Sequence, residues 1–428
     1  MLFPLPSGLR HAVAASAAQV GEGQGEGPRQ HDNMVVRSFP QNSLVSRVGR
    51  PTLDRVRLGI QILPCLLLAA CFQGCSSDRK PPPALTAVPL EEEWEFADPD
   101  PLESPRSTPI QPAERPATPA SGAARPSPGW VALDDYCRFH RVALEWDPQG
   151  SMPERIRLQG TAGITTLQRD SRMANAAGLR FWMAYGPRVV GDRPYLNKLD
   201  ADKTLLPLVH AGPSGHDRRV ILIDPGHGGS NRGTQNDTGS LLEKNLTLDW
   251  ALRLEALLSD RGWKVFLSRT KDKTLSLSER VEEADRVGAA LFVSLHFNAA
   301  TPDTSRTGIE TYCLTPAGLP STLVRFAPED TAKVYPNNRH DTANLLLAMS
   351  VHRLLIERTG AADRGVRRAR FMTVLQGQQR PAILVEGGFL SSPEEAAEIN
   401  RPAYRQILAQ AVADGLEAFL QGSPAGGR

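Results

Sequence analysis

The sequence has almost no charge to spare. Its 49 lysines and arginines stand against 47 aspartates and glutamates, a formal net charge of +2 over 428 residues, so there is no electrostatic case for nucleic acid as a partner. The apolar run at residues 58–70 is well short of the ~20 residues that cross a bilayer. Cysteine is scarce, five in all. Cys65 lies inside that apolar run and Cys71 and Cys75 are lipidation candidates, so after processing only Cys137 and Cys313 remain besides those candidates; an oxidising compartment would allow a disulfide between them, but none is expected. A phosphate cradle is missing as well. The glycine-rich turn Pro225-Gly226-His227-Gly228-Gly229 is neither GxGxxG nor GxxxxGK[ST], and no lysine follows it.

What the sequence does hold is a set of two histidines and two glutamates: His227, Glu243, His296 and Glu386. Residues 220–224 (VILID) read as a buried strand that delivers His227 at its carboxyl end. That end of an open α/β sheet is where ligands bind. Residues 291–298 (LFVSLHFN) follow a helical pattern at 278–287 and place His296 likewise. Residues 382–385 (AILV) are fully apolar, and Glu386-Gly387-Gly388 then opens a loop. Two imidazoles and one carboxylate make a three-ligand zinc site with one position left for water, and the second carboxylate is left to move protons.

Each residue also has a plainer reading. Ser240-Leu241-Leu242-Glu243 fits a capping box ahead of a helix whose apolar face carries Leu246, Trp250, Leu254, Leu257 and Leu258; cap and ligand are compatible roles. His296 alone would pass for a satisfied strand-end group, and Glu386 for a salt-bridged one. His352 reads as a helix-face residue, and His340, in a loop, is the reserve candidate for a ligand. Arg364, Arg367, Arg368 and Arg370 precede a strand expected at 371–375. Clusters of this kind usually form solvated surface, the alternative being a cationic rim that holds substrate carboxylates.

Seven stretches carry a resemblance: VILIDPGHGGSNRG, LLEKNLTLDWALRLEALL, SRTKD, SLSERVEEADRVGAALFVSLHFNAA, GIETYCL, DRGVRRARFMTVL and PAILVEGGFLSSPEEAAEI. In order and spacing, from near Arg219 to near Leu420, they resemble the zinc-dependent N-acetylmuramoyl-L-alanine amidase family of the amidase_3 type. The resemblance implies zinc (Zn2+) held by His227, Glu243 and His296, with Glu386 catalytic, and puts Asn298 and Arg364 beside the substrate. The substrate it implies is peptidoglycan, cut between N-acetylmuramic acid and L-alanine during wall remodelling or daughter-cell separation. Some members of the family answer to a protein activator that removes a blocking helix. The irregular stretch at 315–341, interrupted by Pro316, Pro320, Pro328 and Pro336, shows no strong amphipathic helix and reads as a lid or groove loop. A catalytically silent wall-binding protein and a zinc peptidase acting within the stem are the competing readings.

The fold class expected is α/β: a catalytic domain at 218–421 with a mostly parallel twisted sheet flanked by helices, preceded by a small α+β module and a disordered tether. The module, at 129–210, shows short alternating runs with turn signals at ~8 to 12 residue spacing and resembles stalk-like, copper-amine-oxidase-N-like modules. His140 has no partner at ligand spacing, so no copper site is expected. Residues 72–128 form a Pro-rich linker that cannot bury a core. The run at 58–71 has arginines before it and ends in Leu68-Ala69-Ala70-Cys71, a signal-peptide core with a lipobox that makes Cys71 the lipidated residue. Residues 1–57 are a leader longer than a signal peptide needs, consistent with a start assigned too far upstream, for example at Met34 in truth. These features place the chain in the periplasm, anchored by lipid to the outer membrane, the inner membrane being the alternative.

Overall fold

The computed structural model describes residues 129–146, 155–210, 216–323 and 329–422. The expected leader, lipobox, Cys71 and Pro-rich linker lie outside the described residues.

The first stretch is built from short strands because its apolar residues recur at every second position. It runs β1 (Trp130–Ala132), α1 (Leu133–His140), β2 (Ala143–Trp146), β3 (Arg155–Gly160), β4 (Gly163–Gln168), β5 (Met173–Ala176), β6 (Leu179–Trp182), β7 (Arg188–Val190) and β8 (Arg193–Asn197). A short helical segment closes it, α2 (Lys198–Asp200), a π turn (Ala201–Leu205) and α3 (Leu206–Val209). In β3, Ile156 and Leu158 are buried while Arg155 and Arg157 are exposed, the alternation of a sheet covered on one face.

The second stretch alternates strand and helix: β9 (Val220–Pro225), α4 (Glu243–Asp260), β10 (Lys264–Leu267), α5 (Leu277–Arg286), β11 (Leu291–Asn298), β12 (Ile309–Leu314), α6 (Asp341–Thr359), β13 (Asp363–Ala369), α7 (Thr373–Gln376), β14 (Ala382–Phe389), α8 (Pro393–Asn400) and α9 (Pro402–Leu420). Its central strands are mostly apolar and buried along nearly their whole length, as strands covered by helices on both faces must be. Helix α5 starts at a capping box, with the Ser276 hydroxyl facing the Glu279 amide and the Glu279 carboxylate returning to Ser276. Helix α4 buries Leu246, Trp250, Leu254 and Leu258, one stripe at helical spacing.

The two stretches share one sheet. Eleven strands run in the order β10-β9-β11-β14-β12-β13-β6-β5-β4-β3-β2. From β10 to β6 the pairings are parallel except β14 with β12, and from β6 onward they are antiparallel. The join is β6 beside β13, where Phe181 faces Val366. A single apolar cluster includes Leu133, Leu158 and Phe181 from the first stretch and Trp250, Val351 and Leu416 from the second. Strands β1, β8 and β7 form a separate small sheet.

Two local expectations are corrected. The strand expected at 371–375 is absent; the strand is β13, which contains Arg364, Arg367 and Arg368 themselves, and residues 373–376 are a helical turn. The arginines are drawn into the sheet because β12 and β6 pair on either side of them. Nor does Glu386-Gly387-Gly388 open a loop. Strand β14 continues to Phe389, with the pairing to β11 shifting between His296 and Asn298, a bulge that lets the strand pass the site without ending.

A core shared in this way has a thermodynamic consequence. Unfolding in denaturant is expected to be a single transition by fluorescence and by circular dichroism, without separate melting of 129–210. Phe181→Ala, at a position 1% exposed, is expected to lower the stability of the whole by ~3–5 kcal/mol.

Candidate metal centre and catalytic carboxylate

Strand β9 ends in Pro225, and the chain then turns sharply, with His227 in the left-handed region at φ 60°. Two buried arginines hold that turn. Arg280, from α5, pairs with Asp224 at 2.6 Å and donates to the carbonyls of Pro225 and His227. Arg269 donates to the carbonyls of Pro225, Gly226 and Lys244. Carbonyls turned away from the sheet thus meet guanidinium groups, which offsets their burial. Burial, with the nearby Arg280 charge, pulls the Arg269 guanidinium down to about 10. Burial would raise the Asp224 carboxyl, but Arg280, Ser268 and Ser294 together hold it below its usual range.

Three side chains meet below this turn. The His227 Nε2 lies 3.1 Å from Glu243 Oε2, and the His296 Nδ1 lies 3.0 Å from Glu243 Oε1. One ligand atom from each of the three lies within 4.8 Å of the others. Asn231 takes the other ring nitrogen of His227, Nδ1, at 2.8 Å, which orients the imidazole with Nε2 toward the cluster. Glu243 is the first residue of α4, and it is 1% exposed while both imidazoles are 18% exposed; the cluster is therefore closed from the helix side and open on the histidine side. Burial would raise the Glu243 carboxyl, yet the two imidazoles outweigh it and hold it well below the usual range. Burial lowers His296 despite the same carboxylate, whereas for His227 Glu243 prevails over burial and the ring is raised.

The capping-box reading of Ser240 and Glu243 does not survive. The residue before α4 is Leu242, with no side-chain cap, and the Ser240 hydroxyl turns to Asn236 and Thr238. The Glu243 carboxylate also accepts from the Thr234 amide and hydroxyl and from the Phe297 amide, so its oxygens are turned inward rather than back along the chain.

The cluster fits a divalent cation that takes nitrogen and oxygen ligands. Space for the ligands is kept by two glycines. A Cβ on Gly226 would lie 2.3 Å from the His296 ring, and one on Gly233 would lie 2.5 Å from Glu243 Oε2. His340 is not among these residues, and among the described residues they form the one such group.

Glu386 stands beside the cluster on β14, opposite His296 on β11. It is buried, and its Oε2 has no hydrogen-bond partner. Burial comes first in pushing its carboxyl well above the ordinary range, with Glu243 and Glu310 acting in the same direction. Across the sheet on the other side lies Glu310 of β12, paired with Glu386 in register. Glu310 was not singled out from the sequence. In GIETYC it is a lone carboxylate within a strand that is buried throughout, Glu310 included.

The remaining candidates fall into place around Glu310. Arg364 donates from Nε to its Oε1 at 2.6 Å and stacks over Phe389 at 5.1 Å. Asn298 accepts the Ala299 amide N–H at its Oδ1, at 2.8 Å, and has its Nδ2 3.5 Å from Glu310. Asn298, Arg364, Glu310 and Arg306 line a small open cavity together with Phe389. The expected cationic rim, or solvated arginine surface, is not formed. Arg367, Arg368 and Arg370 are 2 to 3% exposed. Arg367 stacks on Trp182, Arg368 donates to Thr204 and the Lys203 carbonyl, and Arg370 donates to the carbonyls of Thr315 and Pro316. His352 lies on a face of α6, fully buried between Thr311 and Asp363. Cys137 and Cys313 are both free and buried.

With this geometry established, comparison with known proteins gives a consistent result. The family described as N-acetylmuramoyl-L-alanine amidase matches residues 221–418. The sporulation-specific N-acetylmuramoyl-L-alanine amidase of Bacillus subtilis (strain 168) is 34% identical over 199 residues, 46% of this chain and 66% of that protein, so the chain spans just under two thirds of that relative. The amidase AmiA of Salmonella typhimurium is 30% identical over 224 residues, 47% of this chain and 76% of its own length. Among solved structures, the N-acetylmuramoyl-L-alanine amidase of Clostridium difficile 630 is 32% identical and aligns with a TM-score of 0.41, over 48% of this chain and 98% of that one.

Two substitutions separate the supports of the centre. Arg280→Met leaves Asp224 buried without its partner and is expected to cost ~3–5 kcal/mol in denaturant unfolding. Gly226→Ala is expected to reduce bound metal, measured by elemental analysis of the purified protein, well below that of the unaltered chain, because the methyl group takes the place of the His296 ring.

Proposed function

The chain belongs to the N-acetylmuramoyl-L-alanine amidase family, and from that membership and the site we propose that it hydrolyses the amide between N-acetylmuramic acid and L-alanine in peptidoglycan, with zinc as its metal. The observation that carries this reading is a buried carboxylate, Glu386, whose Oε2 has no hydrogen-bond partner, set beside a cluster of two imidazoles and one carboxylate.

His227, Glu243 and His296 would hold the zinc. The ion supplies Lewis acidity, lowering the pKa of water and polarising a carbonyl. The rest is work for this chain's own side chains. Glu386 is the proton carrier: its free Oε2 accepts the proton of the attacking water and returns it to the departing L-alanine amine. A carboxyl that burial and two neighbouring carboxylates push upward holds a proton readily, which suits the second half of that transfer. Asn231 keeps the His227 ring in place, and Arg269 and Arg280 keep its turn rigid. Asn298 and Arg364 line a small cavity together with Glu310, the residue paired with Glu386, and would position the substrate. A silent wall-binding protein would have no use for an unpartnered buried carboxylate, whose cost in stability is real.

Digestion of purified peptidoglycan, followed by mass spectrometry, tests the reaction: the products are glycan free of peptide and stem peptide with a free L-alanine amine. Peptide fragments still joined to sugar would replace this reading with cleavage inside the stem. Glu386→Gln is expected to lower turnover by ~10²–10⁴-fold with zinc still bound, and loss of zinc in that variant would move Glu386 into the ligand set.

For location, we propose a lipid anchor on Cys71 and a site of action in the periplasm at the outer membrane, on the strength of the Leu68-Ala69-Ala70-Cys71 sequence. Cells fed radioactive palmitate are expected to label the full chain, and Cys71→Ala is expected to lose the label and move to the soluble fraction.

A further inference from the structure

A row of polar and aromatic side chains crosses five adjacent strands and does not stop at the catalytic half. Directly paired residues project to the same face of a sheet. His296 on β11 faces Glu386 on β14, Glu386 faces Glu310 on β12, and Tyr312, two residues further along β12, faces Arg367 on β13. The last member is Trp182 of β6, whose ring lies 4.4 Å from the Arg367 guanidinium. Three features tie these groups together. The Arg367 Nε lies 3.4 Å from Glu310 Oε1, and Arg364 donates to that same oxygen at 2.6 Å. Tyr312 donates its hydroxyl to Glu310 Oε2. The Trp182 Nε1 donates to the Arg364 carbonyl at 2.9 Å, and the Arg180 amide donates to the Asp363 carboxylate at 2.9 Å, so β6 grips the strand that carries both arginines.

The energetics explain why the row has this composition. Glu310 is buried and charged, which is costly unless cations and donors surround it. Arg367 supplies charge from a place that is itself 2% exposed, and its own burial is eased by an aromatic face, an attraction that is largest where water is excluded. Glu310 in turn receives Arg364 and faces the Asn298 amide, two of the groups that line a small cavity with it.

We propose that β6 belongs to the framework of the catalytic site: Trp182 is a positioning residue that seats Arg367 against Glu310, and Glu310 thereby fixes Arg364 and Asn298, the two groups expected beside the substrate. The 129–210 stretch is on this account part of the site's framework and not a spacer. The proposal rests on the hydrolytic reading above for its effect on catalysis, but its physical core, the coupling of Trp182 to Glu310, is independent of any substrate.

Two measurements on the full chain test it. The first is steady-state kinetics on solubilised peptidoglycan. Trp182→Ala is expected to raise KM roughly fivefold with kcat changed less than about twofold, and Trp182→Phe, which keeps an aromatic face, to recover most of that loss. A purely structural role would lower kcat in proportion to the unfolded fraction and leave KM alone, and that result, or an unchanged KM, would overturn the proposal. The second is a double-mutant cycle in melting temperature between Trp182→Ala and Glu310→Gln. Shifts that fall short of their sum support the coupling; additive shifts refute it. If the unaltered chain fails to cut peptidoglycan, the functional reading falls, while the melting cycle still decides whether Trp182 positions Glu310.

Discussion

One carboxylate holds this centre together. Glu243 opens α4 and receives both imidazoles, the Thr234 amide and hydroxyl, and the Phe297 amide. Those partners come from the turn after β9, the loop before α4, and β11. A single buried anion therefore gathers three separately encoded segments, and its burial is tolerable only because every oxygen is occupied. Removing it would leave two imidazoles with no common partner and two backbone amides, those of Thr234 and Phe297, without this acceptor. The same logic repeats one layer out, where Asp224 and Arg280 stand under the turn and Glu310 gathers arginines from β13. Each carboxylate is buried with cations or donors already in place.

Several parts of this were legible from residues alone, for a physical reason. His227, His296 and Glu386 each follow or interrupt an apolar run, and polar residues so placed at the carboxyl end of buried strands face a crevice. The helix start at Glu243 is visible from the apolar spacing that follows it. What the local pattern could not convey was the orientation of the side chain: Ser240 and Glu243 have the spacing of a capping box, but two imidazoles compete for the carboxylate and prevail over a backbone amide. Glu310 escaped notice because a lone glutamate inside GIETYC looks like an ordinary strand residue until β14 and β13 are placed on either side of it.

The arginines misled for a related reason. Four in seven residues, from Arg364 to Arg370, suggest solvent, since arginine is rarely buried without partners. Their partners are Trp182, Thr204, Thr315 and Glu310, some of them distant in sequence, and pairing of that kind leaves no short-range trace. The same holds for the join between the two stretches. Alternating short strands at 129–210 announce a sheet, but nothing in them announces that the sheet will be completed by β13.

Strand β6 also covers backbone. Without it, β13 would present the N–H and C=O groups of its outer side to solvent, and such an open margin is a template for pairing with other chains. Cutting the polypeptide at residues 211–215 would isolate every residue of the metal cluster in one fragment, yet that fragment would carry an unprotected sheet margin. The first stretch thus shields a margin of the second that would otherwise be adhesive, which is a role in solubility as well as in register.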